Sequence, residues 1–463
     1  MPGAREIAYL SLERCEKQKK YSNLEIDSQV KKYGLKGAEK SLYVSLIYGV
    51  TERLLTLDFL ISCLSNRPLE KLDTRALIPI RLGLYQLIFM DRIPESAAVD
   101  ESVKIASSKS NRALGGFVNA ILRSYQRALG GKREHDIEKI LAYEPFKSRF
   151  DSLGEYARLS VKYSYPEWLV KLFAESYLPE CAEKIMSFQN ESRGTTFRVN
   201  TLKASRDKML EIMDARGVNA VKTSFSPFGI YSESIEISNI ADLIESGEIF
   251  VQDEASQLAS LALGATPDST TLDCCACPGG KSFSSAMLME NRGRIISCDL
   301  HESKLSLIES GAKRLGIDII KTQAADSSVY YDTLIGTDNT ADFVLCDVPC
   351  SGLGVIAKKP EIRYKDKADI ERLPDIGLKI LKNCAGYVKA GGTLVYSTCT
   401  LNPDENENNV KRFLEDNDLF EPVEFNFTSD DGRRIESKNG MLTLFPHIHG
   451  TDGFFIAKMK RKI

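Results

Sequence analysis

The sequence has no run of 18 or more apolar residues, and therefore no candidate membrane-spanning helix. Its first residues also lack the basic segment followed by an apolar segment that is typical of a signal peptide. With 43% hydrophobic and 27% charged residues, the composition is that of an ordinary globular protein. We therefore expect a cytoplasmic protein that has no membrane partner.

Signs of a disulfide framework or a histidine metal site are also lacking. The 11 cysteines are an odd number, and disulfides are rare in the cytoplasm, so we expect free thiols. The spacing of His301, His447 and His449 fits no metal-binding pattern. The cysteines are therefore either buried packing residues or reactive thiols.

Charge is distributed unevenly along the 463 residues, a length that predicts two to four domains. Residues 1–127 carry 20 Lys+Arg against 14 Asp+Glu (net +6), whereas residues 128–463 carry 41 against 50 (net −9). Apolar residues recur at helical spacing from about residue 5 to 127, which predicts an all-helical domain. Its basic excess is either a polyanion-binding surface or a merely solvated one.

The helical domain resembles the NusB-type RNA-binding fold. The resemblance is carried by residues 48–50 (YGV), 57–58 (LD), 81–87 (RLGLYQL), 93–94 (IP), 99–103 (VDESV) and 117–122 (FVNAIL). It implies contact with RNA through the helical surface. A helical scaffold that only packs against its neighbour is the alternative.

Four parts are predicted along the chain: a NusB-like domain (1–130), a helical linker (131–190), a small α+β module (191–250) and an α/β domain (251–463). In the small module we predict strands at 196–202, 218–221 and 235–237 and a helix through 209–213. The module is a plausible surface for positioning RNA. Its Arg198-x-Asn200 sequence either contacts phosphate or caps a turn.

The functional prediction depends on an apolar run, residues 272–276, that breaks into a proline and two glycines and continues as helix-forming residues. This pattern predicts the first strand of an open α/β sheet, a tight turn and a helix. Paired glycines allow close approach of a ligand, and N–H groups at a helix start attract a carboxylate or phosphate. The turn lacks the G-x-G-x-x-G form of nicotinamide-dependent oxidoreductases, which makes that class a weaker alternative.

Two acidic residues support a nucleotide-like cofactor at this turn. A second apolar run ends in Asp299, 19 residues after Gly280, and a third is followed by Asp326. In doubly wound folds, an acidic residue about 20 positions beyond the glycine turn hydrogen-bonds ribose hydroxyls. Because ligands bind at the carboxyl ends of such strands, both acids are expected to face one pocket.

The remaining strand candidates complete a sheet. Apolar runs at 341–347 and 393–398 predict a fourth and a fifth strand, the latter after a Gly391–Gly392 turn, and 441–445 and 453–458 predict an antiparallel pair. Strands that alternate with helices and close with a hairpin resemble the seven-stranded class I methyltransferase fold.

Two cysteines are predicted at the carboxyl ends of the central strands: Cys350 in residues 347–352 (DVPCSG) and Cys399 in residues 397–400 (STCT). Thiols there suit methylation of a pyrimidine carbon, because carbon 5 of cytosine is too weak a nucleophile to attack a sulfonium methyl group unaided. A thiolate that adds to carbon 6 converts the ring into a reactive enamine. The thiol needs a lowered pKa, for which a helix predicted to start at Pro403 is a plausible cause.

These motifs, together with residues 402–407 (NPDENE), resemble those of the RNA 5-methylcytosine methyltransferases of the Sun/NOL/NSUN family over about residues 195–463. With the NusB-like front part, the whole chain is similar to bacterial members that modify small-subunit ribosomal RNA. The resemblance implies S-adenosyl-L-methionine as cofactor, Cys399 as the attacking thiol and Cys350 as the group that helps to release the product.

The resemblance also implies a set of cofactor-binding residues: Cys275, Ala276, Cys277, Pro278, Gly279, Gly280, Lys281, Asp299, Asp326 and Asp347. The turn and Asp299 are expected to hold the methionine and ribose parts and Asp326 to face the adenine, with Asp347 between cofactor and target base. Cys277 stands where the family usually has alanine, and Thr400 stands where serine is commoner. Neither departure is expected to affect the activity.

A four-thiolate zinc site from Cys274-x-x-Cys277 and Cys346-x-x-x-Cys350 is an alternative, but two of these cysteines would have to leave apolar strands. We therefore expect no metal and interpret Cys274, Cys346 and Cys384 as packing residues. The expected partner is small-subunit ribosomal RNA that is not fully assembled, bound by a monomer. The rival hypothesis is an RNA-binding or antitermination factor whose methyltransferase part is a non-catalytic scaffold.

Overall fold

The computed structural model describes residues 2–18, 22–191 and 194–463. The chain folds into two compact units. The first comprises Met1–Asn190 and Lys358–Lys365, and the second comprises Glu191–Ala357 and Asp366–Ile463. Within the described residues, no helix has the length and apolar character needed to cross a membrane.

The first unit is all-helical, as predicted. Its helices are α1 Ala4–Gln18, α2 Ser22–Tyr33, α3 Gly37–Glu52, α4 Leu54–Leu64, α5 Thr74–Phe89, α6 Glu95–Lys109, α7 Arg112–Ala128, α8 Ile137–Leu141, α9 Phe146–Asp151, α10 Glu155–Tyr163, α11 Glu167–Tyr177 and α12 Pro179–Gln189, with a 3₁₀ helix Leu69–Lys71. Helix α5 is buried along most of its length, and the apolar faces of α3, α6 and α7 pack around it. Asn111 caps α7 by accepting a hydrogen bond from the Leu114 N–H.

A segment from the middle of the chain completes the first unit. Residues 358–365 contain a 3₁₀ helix Pro360–Tyr364, in which Arg363 is 0% exposed. The Arg363 guanidinium donates to the carbonyl oxygens of Glu52 (3.0 Å) and Ser164 (3.1 Å), and it lies over the Tyr165 ring at 4.3 Å. These contacts offset part of the cost of burying the charge, since Nη1 makes the hydrogen bonds whereas Nε and Nη2 have no partner within the described residues.

The small module of the second unit is a four-stranded antiparallel sheet with order β2-β3-β1-β4. Its elements are β1 Thr195–Val199, α13 Arg206–Ala215, β2 Val221–Lys222, β3 Gly229–Ser232, a 3₁₀ helix Ile237–Asn239, α14 Ala241–Glu245 and β4 Ile249–Val251. The strand predicted at 235–237 is wrong: residues 235 and 236 are irregular, and a 3₁₀ helix starts at Ile237, from which Ile240 and Ile244 follow at helical spacing. The strand predicted at 218–221 reaches only Val221, and β3 and β4 were missed.

Arg198 and Asn200, which the sequence singled out together, lie in different environments. The Asn200 side-chain amide donates to the carbonyl oxygens of Gly247 and Leu315, both at 2.8 Å, and so acts as a structural strut. Arg198 is 0% exposed, and none of its three side-chain nitrogens has a hydrogen-bond partner within the described residues. Its guanidinium lies over the Phe228 ring at 4.6 Å, and burial lowers the pKa of Arg198 to about 9.

An Arg198→Met variant is therefore expected to be more stable than the wild type, by about 1–2 kcal/mol. Methionine fills similar volume and removes an unpaired buried charge, whereas the cation–π contact that is lost contributes only about 1–2 kcal/mol. Urea denaturation at neutral pH measures the change. Arg198→Lys keeps the charge and should show no gain; a destabilised Arg198→Met with an unchanged Arg198→Lys would contradict the expectation.

The large sheet of the second unit has the predicted α/β layout. Its strands are β5 Thr270–Asp273, β6 Arg294–Asp299, β7 Ile320–Ala324, β8 Ala341–Asp347, β9 Val388–Thr398, β10 Phe420–Pro422, β13 Met441–Leu444 and β14 Phe454–Arg461; β11 Asn426–Thr428 and β12 Arg434–Glu436 form a separate hairpin. The helices are α15 Glu254–Leu263, α16 Gly280–Leu288, α17 Glu302–Leu315, α18 Lys367–Ile370, α19 Leu373–Ala385, α20 Glu407–Glu415 and α21 Pro446–His449.

The order of this sheet is β10-β14-β9-β8-β5-β6-β7, with β13 also paired to β14. Strands β5 to β9 are parallel, and β14 runs antiparallel to β9. The β13–β14 hairpin was predicted, whereas the short strand β10 was not. Because β13 and β10 pair with successive parts of β14, eight strands occupy seven positions.

The Gly391–Gly392 turn predicted before the fifth strand is wrong. Both glycines lie inside β9, where Gly391 adopts φ +76° and the register with β8 shifts between Ala341 and Phe343. A glycine with positive φ at an irregular point of a strand is typical of a β-bulge. The strand therefore starts earlier than predicted and bends before it reaches the site.

Candidate active site

The two cysteines predicted at the strand ends lie together. Cys350 follows β8 and Cys399 follows β9, and their Sγ atoms are 3.4 Å apart. The strands are parallel neighbours with Asp347 paired to Ser397, so their carboxyl ends reach the same edge of the sheet. Both thiols are half-buried and remain accessible from this edge.

The environments of the two thiols favour opposite protonation states. A hydrogen bond from the Cys350 thiol lowers the pKa of Cys399, against the opposing effect of burial, and the positive charge of Lys281 also lowers it. The same hydrogen bond raises the pKa of Cys350, as do burial and the negative charges of Glu405 and Asp347. The two shifts therefore favour ionisation of Cys399 over ionisation of Cys350.

The predicted helix start beside Cys399 is wrong. Residues 403–406 form a turn, and α20 begins only at Glu407. Proline fits the first helical position but also fits a turn, and the sequence does not distinguish the two. The thiolate is thus favoured by Cys350 and Lys281.

Lys281 connects the predicted cofactor turn with the thiol pair. Its Nζ lies 2.7 Å from Asp347 Oδ2, and Ser397 Oγ donates to Asp347 Oδ1 at 2.7 Å. Burial opposes the charge of Lys281, but the attraction of Asp347 outweighs it and raises the pKa of Lys281. Lys281 is therefore a cation at neutral pH, placed between the turn and the reactive thiols.

Glu405 holds the two cysteine-bearing loops together, a role that the sequence reasoning missed. Its carboxylate accepts from the Ser351 N–H at 2.7 Å, from Ser351 Oγ at 2.5 Å and from Asn402 Nδ2 at 2.9 Å. Ser351 Oγ also lies 2.6 Å from Thr400 Oγ1. Residues beside Cys350 and Cys399 thus share one buried network, which fixes the separation of the thiols. The sequence signal for this role was Glu405 itself, an acidic residue within the 402–407 motif.

The turn between β5 and α16 requires glycine. Gly279 has φ +107°, and a Cβ at this position would lie 2.4 Å from the Phe283 ring. The Ala276 N–H donates to the Cys298 carbonyl at 2.7 Å, which ties the turn to β6. The first N–H groups of α16 have no intrahelical acceptors, so they can bind an anionic group.

The acidic residues follow the strands in the predicted way. Asp299 ends β6 and accepts from the His301 N–H at 2.9 Å. Asp326 lies two residues after β7, and a hydrogen bond from the Ser328 N–H lowers the pKa of Asp326. Both remain only half-buried, and a carboxylate can accept more hydrogen bonds than those found here.

Sequence reasoning missed the role of Asp273. This carboxyl at the end of β5 accepts from Ser282 Oγ at 2.7 Å, and Ser282 lies 2.7 Å from Ser297 Oγ. Burial raises the pKa of Asp273 to about 7. The chain of contacts joins β5, α16 and β6 beneath the glycine turn.

The alkylation of Cys399 should depend on pH in a way that reports these contacts. For the lowered pKa, we expect the iodoacetamide rate at Cys399 to rise with pH and reach half its maximum below pH 9, the ordinary value of a thiol. Cys350→Ala removes the hydrogen-bond donor and Lys281→Met removes the cation, so both should shift the midpoint to higher pH. Peptide mass spectrometry of Cys399 measures the rate. A midpoint unmoved by either substitution would contradict the assignment.

Comparison with protein families divides the chain into three matches. Residues 260–460 match the model described as 16S rRNA methyltransferase RsmB/F, residues 2–127 match the NusB family, and residues 165–235 match the ferredoxin-like domain of RsmF/B-like methyltransferases. These matches follow the three kinds of structure found here: the helical unit, the small sheet and the large sheet.

Similar proteins match over nearly the whole chain. A probable ribosomal RNA small subunit methyltransferase B of Bacillus subtilis is 37% identical over 99% of this chain and 98% of that protein. Ribosomal RNA small subunit methyltransferase B of Escherichia coli is 29% identical over 92% and 91%. Among solved structures, PH0851 is 26% identical with a TM-score of 0.79 over 100% of this chain and 99% of that one.

Proposed function

The chain belongs to the RsmB/F family of 16S rRNA methyltransferases, and from this premise and the thiol pair we propose that it methylates carbon 5 of a cytosine in small-subunit ribosomal RNA. The observation that carries the proposal is the 3.4 Å separation of Cys399 and Cys350 at the carboxyl edge of the sheet, with opposite pKa shifts. A single methyl transfer to a nitrogen or a hydroxyl needs no such pair of thiols.

The residues at the sheet edge fit S-adenosyl-L-methionine, the family's methyl donor. When bound, it supplies an electrophilic methyl group. The N–H groups at the start of α16 (Gly280 and Lys281) would bind its carboxylate, Asp299 its ribose hydroxyls and Asp326 its adenine amino group. The rest of the turn, Cys275, Ala276, Cys277, Pro278 and Gly279, would shape the backbone around it. The N–H donors of α16 suit a carboxylate, and the carboxylate acceptors Asp299 and Asp326 suit hydroxyl and amino groups.

Cys399 would act as the nucleophile. Its thiolate adds to carbon 6 of the cytosine, and the electron pair that this addition moves to carbon 5 makes that carbon reactive toward the methyl group. The bond from Cys399 Sγ to carbon 6 is the covalent intermediate. The hydrogen bond from Cys350 and the charge of Lys281 lower the pKa of Cys399, which favours the thiolate that this step needs.

Cys350 would remove the surplus proton. After methyl transfer, carbon 5 carries both a hydrogen and a methyl group, and loss of that proton expels Cys399 and restores the aromatic ring. Once Cys399 is bound to the base, two of the effects that raise the pKa of Cys350 are gone: its hydrogen bond to Cys399 and the negative charge of Cys399. Cys350 would then release its own proton to solvent and, as a thiolate, accept the proton from carbon 5.

Asp347 would bind the target base. One of its oxygens accepts from Lys281 and the other from Ser397, which fixes the carboxylate plane. Each oxygen has a further lone pair for the exocyclic amino group of cytosine. The ring nitrogen N3 carries no hydrogen in neutral cytosine, so a proton delivered to N3 through Asp347 would draw electrons from carbon 6 and favour attack by Cys399.

The helical unit and the small module would select the RNA. A base in a stem is inaccessible to a pocket at a sheet edge, so the cytosine must be unpaired or flipped out. Recognition of RNA stem-loops by shape suits a helical domain with a basic excess (residues 1–130), followed by the helical segment 131–190 and the small sheet (191–250), with catalysis in 251–463. The enzyme would act in the cytoplasm as a monomer on RNA that is not fully assembled.

Product analysis tests the proposal. A transcript of 16S ribosomal RNA is incubated with protein and labelled methyl donor, digested to nucleosides and analysed by mass spectrometry. We expect 5-methylcytidine at one site. Binding of the RNA without any labelled nucleoside would favour the rival, an RNA-binding factor with a non-catalytic scaffold, and a methyl group on N4 or on a ribose would overturn the carbon-5 assignment.

A substrate with 5-fluorocytidine tests the covalent step separately. Fluorine cannot leave as a cation, so the ring cannot regain aromaticity after methyl transfer, and the protein should remain bonded to the RNA. A denaturing gel detects this complex. Methylation of normal RNA without a complex on fluorinated RNA would exclude the thiol intermediate while leaving the methyltransferase activity in place.

A further inference from the structure

A second group of thiols lies under the cofactor turn. The Sγ atoms of Cys274, Cys346 and Cys384 all lie within 4.8 Å of one another, and Cys274 and Cys346 are 3.9 Å apart. The three residues come from the end of β5, from β8 and from α19 and are 2%, 0% and 1% exposed. The mechanism proposed above does not use any of these three cysteines.

The separation of these thiols matches coordination of a metal ion. Thiolate–metal bonds are about 2.3 Å long, so three sulfurs around one three-coordinate ion lie about 4.0 Å apart, and those of a tetrahedral ion about 3.8 Å. The observed 3.9 Å between Cys274 and Cys346 lies between these values. All three sulfurs lie within 4.8 Å of one another, so the third is also near the distance that coordination requires.

The groups around the three sulfurs indicate which kind of metal ion would bind. Groups near the sulfurs include the Ser327 carbonyl, 3.6 Å from Cys384 Sγ, the thiol of Cys275, the carboxyl of Asp273 and Tyr387, and apolar core residues surround them. Within the described residues, no Lys or Arg is among the groups that shift the pKa values of the three thiols. Three sulfur ligands in apolar surroundings are typical of soft cations, whereas zinc sites normally have four ligands.

We propose that Cys274, Cys346 and Cys384 form a buried site for a soft d¹⁰ cation of the Cu(I) class, held in three-coordinate sulfur geometry. Each sulfur that binds as a thiolate releases its proton to solvent, and no oxidant or reductant is needed. A narrow cavity beside the thiols is lined by Cys274, Cys384, Asp326 and Tyr331.

The site differs from the four-thiolate zinc arrangement considered from the sequence. In that arrangement Cys277 and Cys350 were the additional ligands, but Cys277 Sγ lies 3.7 Å from the Lys304 carbonyl and Cys350 contacts Cys399. Cys384, which lies 38 positions beyond Cys346 and on a helix, shows no spacing pattern with the others. Only folding brings it to them.

Anaerobic titration of the full-length, reduced protein with Cu(I), buffered by a chromogenic chelator, tests the site. We expect one ion per chain in a Cys350→Ala/Cys399→Ala background, with three sulfurs at about 2.3 Å in X-ray absorption spectra. Cys384→Ala in that background should weaken binding more than about 100-fold, because a ligand is lost. Cys181→Ala, a control in α12 of the other unit, should not change it.

Three outcomes would overturn the proposal. They are absence of stoichiometric binding, equal affinity in the Cys384→Ala variant, and a four-coordinate zinc site at the same cysteines with no Cu(I) binding. Circular dichroism of each variant shows whether it is folded, and Cys384→Ser provides a second substitution if alanine destabilises α19. The experiment does not involve RNA or methyl transfer, so its result is independent of the function proposed above.

Discussion

A Cys399→Ala variant is expected to lose methyl transfer by a factor on the order of 100,000 and to form no covalent complex with 5-fluorocytidine RNA. The reason is chemical: without addition of sulfur to carbon 6, carbon 5 of cytosine has no electron pair to donate to the methyl group. Binding of RNA and of the methyl donor should be nearly unchanged, since alanine removes one half-buried sulfur. Labelled-methyl incorporation and a denaturing gel give the two readouts.

Cys181→Ala serves as the control for loss of a thiol elsewhere in the chain and should retain full activity. Cys399→Ser tests nucleophilicity at nearly constant volume and should be as inactive as the alanine variant, because a hydroxyl does not ionise at neutral pH. Methyl transfer by either Cys399 variant at more than a few per cent of the wild-type rate would remove Cys399 from the mechanism.

A Cys350→Ala variant should behave differently and accumulate a covalent complex with unmodified RNA. Addition and methyl transfer remain possible, but the proton on carbon 5 has no acceptor, so Cys399 is not expelled. We expect turnover to fall by about 100-fold or more, as for loss of a general base. A complex that survives denaturation and carries the labelled methyl group identifies the blocked step.

The double variant Cys350→Ala/Cys399→Ala is the matched control and should form no complex. If Cys399→Ala trapped RNA and Cys350→Ala did not, the roles of the two thiols would be exchanged, although the covalent route itself would stand. If neither single variant trapped RNA, proton removal would belong to a different group.

The large sheet could be predicted because its strands end in recognisable residues. Strands β6 and β8 end at Asp299 and Asp347, where apolar runs stop, and the prediction for β8 matches its bounds. The small module was harder to predict. Its strands are two to five residues long, too short for alternation to be distinguished from one turn of helix, and β3 and β4 were missed for that reason.

The residues of the site could be predicted by type but their contacts could not. Local sequence placed Cys350, Cys399 and Lys281 near one edge of the sheet. The pairing of Lys281 with Asp347, the carboxylate clamp of Glu405 and the convergence of Cys384 with two strand cysteines all join residues more than 30 positions apart. Such contacts depend on how elements pack, and a single sequence carries no signal for them.

The segment 358–365 has a consequence for how the protein matures. In the N-terminal unit, the carbonyl oxygens of Glu52 and Ser164 accept hydrogen bonds from Arg363. The ribosome translates Arg363 about 170 residues after the end of α12. A ribosome that has released residues 1–190 has therefore made an unfinished unit, which reaches its final packing only when most of the second unit has emerged. Dividing the chain at residue 190 would likewise separate a donor from its acceptors, so a fragment that starts at 191 should expose Ile362 and aggregate.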